Sequence, residues 1–255
     1  MSFVEFNIHK QVCSIELSRE EKRNAFNPEM IEELTQAFEK AAKDSEVAVV
    51  LLRGKGKSFC AGADLGWMQS MVNYNFDENL EDSHKLHKMF EALEAINVPV
   101  ICYVQGHVMG GALGLLGVSD YVYSDEQTKF GFTEVRLGLV PAVISPFCLK
   151  RLNLKDAKQL MMSGEVFSAK QASEVGLVDS VGRMDEIQQH IDELIKHFKT
   201  LSLPAVKATK KLLNDINQMS DLQQVTPLTT KVISERRVSE DAQTRLKNFL
   251  NKAKK

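Results

Sequence analysis

At 255 residues the chain is long enough for one α/β domain with a sizeable core plus a short appended element. Lys plus Arg number 32 against 34 Asp plus Glu, a near-neutral balance that gives no electrostatic case for nucleic acid or an anionic membrane and points to a small-molecule substrate. Residues 1–10 interleave Glu5, Asn7 and His9 with apolar residues, unlike a secretory signal, and no stretch approaches the roughly 18 apolar residues of a membrane span. The cysteines Cys13, Cys60, Cys102 and Cys148 form no CxxC pair, which argues against a zinc site or a disulfide framework and fits a reduced cytoplasm.

Along the chain, helical and strand patterns alternate as a layered α/β protein requires. Asn27-Pro28 predicts a helix start, an N-cap followed by proline, and Met30, Ile31, Leu34, Phe38 and Ala41 follow at helical spacing. Residues 47–52 form a continuous apolar run rich in β-branched side chains, which predicts a buried strand ending near Gly54. Residues 98–104 repeat that pattern and end at Gly106. A third pair of strands is predicted at 120–123 and 129–132, before a loop containing Pro141. Strand, glycine-bearing loop and helix thus recur about three times over residues 1–202. From 203 to 255 there is no strand signal, only amphipathic helices such as 205–213 and 239–253, which predicts a helical appendage.

Several motifs do not hold. Gly54-Lys55-Gly56-Lys57-Ser58 ends like a phosphate-binding loop, but Leu51 stands where the first glycine belongs. Gly111, Gly114 and Gly117 are spaced by threes, unlike a dinucleotide fingerprint, and suit close packing of one helix face. His84 and His87 lack the companions of a zinc site and read as surface residues. No GxSxG nucleophile elbow occurs.

Two segments resist a purely structural account. Ser58-Phe59-Cys60-Ala61-Gly62-Ala63-Asp64-Leu65 and Gly106-His107-Val108-Met109-Gly110-Gly111-Ala112 each place small residues between a strand and a helix, where backbone N–H groups can approach a ligand. A carboxylate, Glu134, follows a strand in apolar surroundings; an isolated glutamate there is usually a surface residue or the partner of a neighbour such as Arg136.

In this order the three segments resemble the crotonase, or enoyl-CoA hydratase/isomerase, superfamily, from about Ile15 to the C-terminus. The resemblance implies an α/β core, a spiral of repeated ββα units, followed by a C-terminal helical region that assembles trimers or hexamers. It implies an oxyanion hole made by the N–H groups of Ala61 and Gly111, which would stabilise the enolate of a CoA thioester, with Gly110 beside it. Ala25, Ala63, Asp64 and Leu65 would line the CoA site. Phe249 and Lys252 would approach CoA, often from an adjacent subunit, although Phe249 could equally be an apolar helix face and Lys252 a solvated charge. CoA would enter as part of an acyl-CoA substrate, with no separate cofactor and no metal.

Hydratases of the family usually carry two glutamates; Glu134 matches the second, and Gly114 stands in place of the first. Single-glutamate members often isomerise 3-enoyl-CoA to 2-enoyl-CoA, so this feature alone favours an isomerase. A longer similarity, through Gly66-Trp67-Met68, Tyr74, Glu78-Asn79 and residues 133–146, is to bacterial methylglutaconyl-CoA hydratases, which makes hydration in leucine breakdown the first expectation. A long helix after Asp64, bearing Tyr74, Glu78, Asp82 and His84, is expected to border the acyl pocket. A non-catalytic acyl-CoA-binding protein is a further alternative.

Overall fold

The computed structural model describes residues 2–219 and 221–253. Strands β1 (Val4–His9) and β2 (Val12–Leu17) form an antiparallel hairpin. On β2 alternate residues Cys13, Ile15 and Leu17 point into the core, the period of a strand with one buried face. This hairpin accounts for the mixed pattern of residues 1–10, which is strand alternation. Helix α1 (Pro28–Lys43) starts where Asn27–Pro28 predicts, with the Asn27 side chain accepting from the Met30 N–H. It buries Met30, Ile31, Leu34 and Phe38. Next come β3 (Val49–Gly54), α2 (Leu65–Met71), α3 (Phe76–Glu94), β4 (Val100–Val104), β5 (His107–Met109) and α4 (Ala112–Val118). After these follow β6 (Tyr121–Asp125), β7 (Lys129–Gly131), α5 (Ser145–Cys148), α6 (Leu154–Ser163), β8 (Val166–Ser168), α7 (Ala169–Glu174), β9 (Ser180–Gly182) and α8 (Met184–Thr200). The described C-terminal residues fold into α9 (Leu203–Asn217), α10 (Leu222–Val238) and α11 (Glu240–Ala253).

A six-stranded sheet runs β1-β2-β3-β4-β6-β9, parallel from β2 onward, and a second sheet runs β5-β7-β8. The chain spirals between them. From β4 it crosses directly to β5, and from β6 to β7, while after β3 a single bridge from Cys60 to Val108 takes the equivalent place on the small sheet. Strands β3 and β4 lie centrally, buried on both faces, which is why they read as continuous apolar runs.

The single long helix expected after Asp64 is two helices. The break at residues 72–75 is set by a capping box, in which Asn75 Oδ1 accepts from the Glu78 N–H at 2.9 Å and Glu78 Oε2 from the Asn75 N–H at 2.7 Å. The chain divides after Ile195, inside α8, into two compact units; the boundary read from composition, at residue 203, coincides with the first residue of α9. Among the described residues no helix is long and apolar enough to cross a membrane.

Candidate active site

Three segments of the first unit are tied into one rigid loop cluster. The loop after β3 is laced to the one after β4: the Phe59 N–H donates to Gln105 O (2.8 Å), Cys60 N–H to His107 O (3.0 Å) and Met109 N–H to Cys60 O (3.1 Å). Gln105 Nε2 reaches back to Gly54 O and Gly56 O at 2.7 and 3.1 Å. The third segment, residues 19–26, is held by Asn24, which is buried in the left-handed region with φ 55°. Asn24 Oδ1 accepts from the Arg19 N–H at 2.8 Å, and Nδ2 donates to Lys55 O and Ser58 O at 2.9 and 2.8 Å. A short polar side chain suits this position because it tolerates the left-handed backbone and satisfies buried carbonyls.

That third segment decides which backbone donors are free. The Ala61 N–H donates to Arg23 O at 3.0 Å, so the oxyanion role expected of it is corrected: the group is already hydrogen-bonded. One rung further on, Phe26 N–H donates to Gly62 O and Asp64 N–H to Phe26 O, both at 2.7 Å. These two bonds straddle Ala63 in a parallel bridge, so in an extended chain the Ala63 N–H itself points away from Phe26. It has no acceptor among the described residues, and neither does the Gly111 N–H, immediately before α4. Both belong to one neighbourhood. Gly62 packs against Met109, an added Cβ at Gly111 would meet the Phe26 ring at 3.5 Å, and Phe26 bridges Ala63.

Glu134 joins this neighbourhood. It opens a 3₁₀ turn, Glu134–Leu137, and its Oε1 would stand 3.5 Å from a Cβ placed on Gly110, whose φ is +53°. Glycine is therefore favoured at Gly110 by backbone conformation, and the carboxylate lies within ordinary contact range of that position. Glu134 Oε2 is buried with no hydrogen-bond partner, and no ion pair to Arg136 forms among the described residues. Burial raises the carboxyl above its usual range. A buried carboxylate oxygen without a hydrogen-bond partner, in the neighbourhood of two unpaired N–H groups, suits a ligand that has both an acidic hydrogen and a polarisable oxygen.

The remaining expected residues are placed as follows. Ala25 is buried, its carbonyl accepting from Arg19 Nη1 at 3.1 Å. Asp64 caps α2, accepting from the Gly66 and Trp67 N–H groups at 2.7 and 3.2 Å, and pairs with Arg19 at 3.1 Å. Burial alone would raise its carboxyl, but those N–H groups and the guanidinium outweigh it and hold it low. Its side chain is thus engaged within the protein. Leu65 is exposed. Glu78 is taken by the capping box, Asp82 is half-buried with its carboxyl raised by burial, and His84 is exposed. Phe249 and Lys252 lie on α11 in the second unit, both exposed, and Phe249 lines an apolar cleft of that unit. No group of three or more His, Cys, Asp or Glu suited to a metal occurs among the described residues. The thiols are not nucleophile candidates: burial pushes Cys60 up to about 12.

Two residues at the site went unrecognised in the sequence. Asn24 carries no local mark beyond being a residue that tolerates the left-handed region. Phe90 reads as an ordinary core position of α3, yet it packs on Gly114, where a Cβ would lie 2.7 Å from its ring.

The profile of the family described as enoyl-CoA hydratase/isomerase matches residues 7–255. Trans-2-decenoyl-[acyl-carrier-protein] isomerase of Streptococcus mutans is 31% identical over 210 residues, covering 82% of this chain and 80% of that protein. The 2,3-dehydroadipyl-CoA hydratase of Escherichia coli is 29% identical over 212 residues, covering 83% and 81% respectively. Among solved structures, an enoyl-CoA hydratase from Shewanella pealeana superposes with a TM-score of 0.93 at 32% identity, covering 98% of this chain and 94% of the other.

Proposed function

The chain belongs to the enoyl-CoA hydratase/isomerase family, and we propose that it is a hydratase adding water across the C2=C3 bond of a 2-enoyl-CoA thioester, with Glu134 as the acid/base group. The observation that carries this reading is the buried, unpartnered Glu134 oxygen beside Gly110 and Gly111. The thioester oxygen would sit between the N–H groups of Ala63 and Gly111. Water attacks C3 while Glu134 takes its proton, and the C2=C3 electron pair moves onto the thioester oxygen as an enolate. The enolate then collapses and Glu134 returns the proton to C2, so that one water is added and the enzyme is regenerated. Donors aimed at the oxyanion act only once that charge develops, and one of them is typically worth about two to three orders of magnitude in rate. CoA enters with the substrate, and the scheme needs no separate cofactor or metal.

The raised carboxyl of Glu134 suits this work, because a proton-transfer group acts best when its affinity lies nearer the operating pH. An acyl group that itself bears a carboxylate, such as 3-methylglutaconyl, is the first substrate to offer; the dehydroadipyl-CoA hydratase relative is named for an acyl group of that kind. A second reading, isomerisation of a 3-enoyl-CoA by one shuttling glutamate, is favoured by the lack of a carboxylate at Gly114. We further propose a reduced, cytoplasmic setting and a homotrimer or a pair of trimers, with α9–α11 as the assembly surface. Phe249 and Lys252 would then serve the CoA site of a neighbouring copy.

Parallel assays with 3-methylglutaconyl-CoA, a straight-chain 2-enoyl-CoA and a 3-enoyl-CoA decide between the reactions. Faster turnover of a 2-enoyl substrate is expected, and faster conversion of the 3-enoyl substrate would overturn hydration. Glu134→Gln should lower kcat about 10²–10⁴-fold while titration still shows binding of the CoA ester. A parent protein that binds the esters and turns over none is a binding protein.

A further inference from the structure

We propose that Phe90 is a specificity-determining residue that restricts this site to one carboxylate, by filling the space into which a side chain at position 114 would project. The proposal rests on the reading of Glu134 as the acid/base group. A Cβ built on Gly114 would stand 2.7 Å from both Cε1 and Cζ of Phe90 and 3.0 Å from Cγ2 of Ile144. The corresponding atom at Gly110, in the turn that precedes α4, would meet only the Glu134 carboxylate, at 3.5 Å. The two glycines therefore differ in purpose: Gly110 provides a positive φ, whereas Gly114 leaves room for an aromatic ring.

The ring is fixed from behind. Phe90 is fully buried on α3 and packs against Phe147 of α5 with ring centroids 5.1 Å apart, tilted by 47°. Phe147 is wedged over Gly117, where an added Cβ would lie 2.6 Å from the Phe147 backbone, and is covered on another side by His87 at 5.1 Å. Helices α3, α4 and α5 are thus locked together through Gly114 and Gly117. Ile144 closes the same wall, at the end of the connection that begins with Glu134. Cys148, one residue beyond Phe147, is buried with its Sγ 3.6 Å from Leu113 O, which ties α5 to α4 one residue before Gly114. Against such a wall a second carboxylate would be both overpacked and desolvated.

The test has a packing arm and a reaction arm. Gly→Ala inside a helix ordinarily stabilises; here Gly114→Ala should lower Tm by about 3 °C or more. The same change in a Phe90→Leu background should be neutral or stabilising. If Gly114→Ala raises Tm in the parent, Phe90 does not hold that space and the proposal fails. In the reaction arm, Gly114→Glu should yield little folded protein, and Phe90→Ala/Gly114→Glu should recover it. Relative to Phe90→Ala, the double variant should raise the ratio of 2-enoyl hydration to 3-enoyl isomerisation by at least about tenfold, a threshold set below the roughly 10²–10⁴-fold that a positioned carboxylate contributes. An unchanged ratio in a folded double variant would overturn the assignment of reaction specificity. Should the parent turn over neither substrate, the proposed function fails, while the thermal comparison still decides the role of Phe90.

Discussion

Glu134 sits in an environment that works against its own charge. Its folded-state pKa is raised by burial, so between the ordinary carboxylate value of 4.5 and the raised value the folded chain binds more protons than the unfolded chain. Stability therefore falls as pH rises through that interval and stays lower above it. Glu134→Gln lacks this loss. The variant should match the parent near pH 4.5 and exceed it at pH 8 in urea midpoint, with kcat lowered about 10²–10⁴-fold at both. A stability difference that does not change with pH would mean that burial is not what shifts Glu134. The contrast with Asp64 is instructive: two N–H groups and Arg19 hold that carboxyl low, so its stabilisation is present at neutral pH and is lost in acid. Of these residue-scale facts, the presence of Glu134 in an apolar segment was legible in the sequence. Its lack of a partner was not, because Arg136, two residues along the chain, forms no ion pair with it in the fold.

At the scale of elements, the site is a junction of loops whose backbone groups are sorted by hydrogen bonding. Asn24 organises the junction: it ties residues 19–26 to the loop after β3, and that segment in turn engages Ala61 and leaves Ala63 unpaired. Asn24→Ala would strand two buried carbonyls and one N–H and would retain an unfavourable left-handed backbone. We expect a loss of about 3 kcal/mol in denaturant unfolding, from an unmade buried hydrogen bond costing roughly 1–3 kcal/mol, together with a fall in kcat as the Ala63 donor loosens. A stability change below about 0.5 kcal/mol, the range of ordinary surface substitutions, would remove Asn24 from this role. The small-residue loops were visible as motifs. Which N–H was free was not, since Ala61 and Ala63 are alike in sequence and differ in that Arg23 O accepts from Ala61 while Phe26 bonds the residues on either side of Ala63.

At the scale of the whole molecule, the second unit shows what a helical region looks like when its apolar faces are incompletely covered within the unit. Leu213, Val238, Leu246, Phe249 and Leu250 are exposed, and α9, α10 and α11 border an apolar cleft of about 630 Å³. An apolar cleft bordered by exposed Leu246 and Phe249 suits the proposed assembly surface. Phe249→Glu should shift the molecular mass from a trimer or hexamer toward a monomer in light scattering. A mass unaltered by the substitution would place the interface elsewhere. Residues 203–255 read from sequence as amphipathic helices, 205–213 and 239–253 among them; α10, with its internal Pro227, lies between these two.

The sequence by itself determined the period of the elements and the chemistry available. Apolar runs at β3 and β4 can only be buried strands, Asn27-Pro28 can only open a helix well, and Glu134 between apolar residues supplies an acid. It also carried the family, because glycine-rich turns and a carboxylate in fixed order constrain backbone geometry strongly. Tertiary structure decided everything that depends on which groups meet across long stretches of chain. It assigned the free donors to Ala63 and Gly111, because hydrogen bonding from residues 19–26 consumes the Ala61 N–H. It also placed Phe90 over Gly114, because two helices pack closely only where one of them has no side chain.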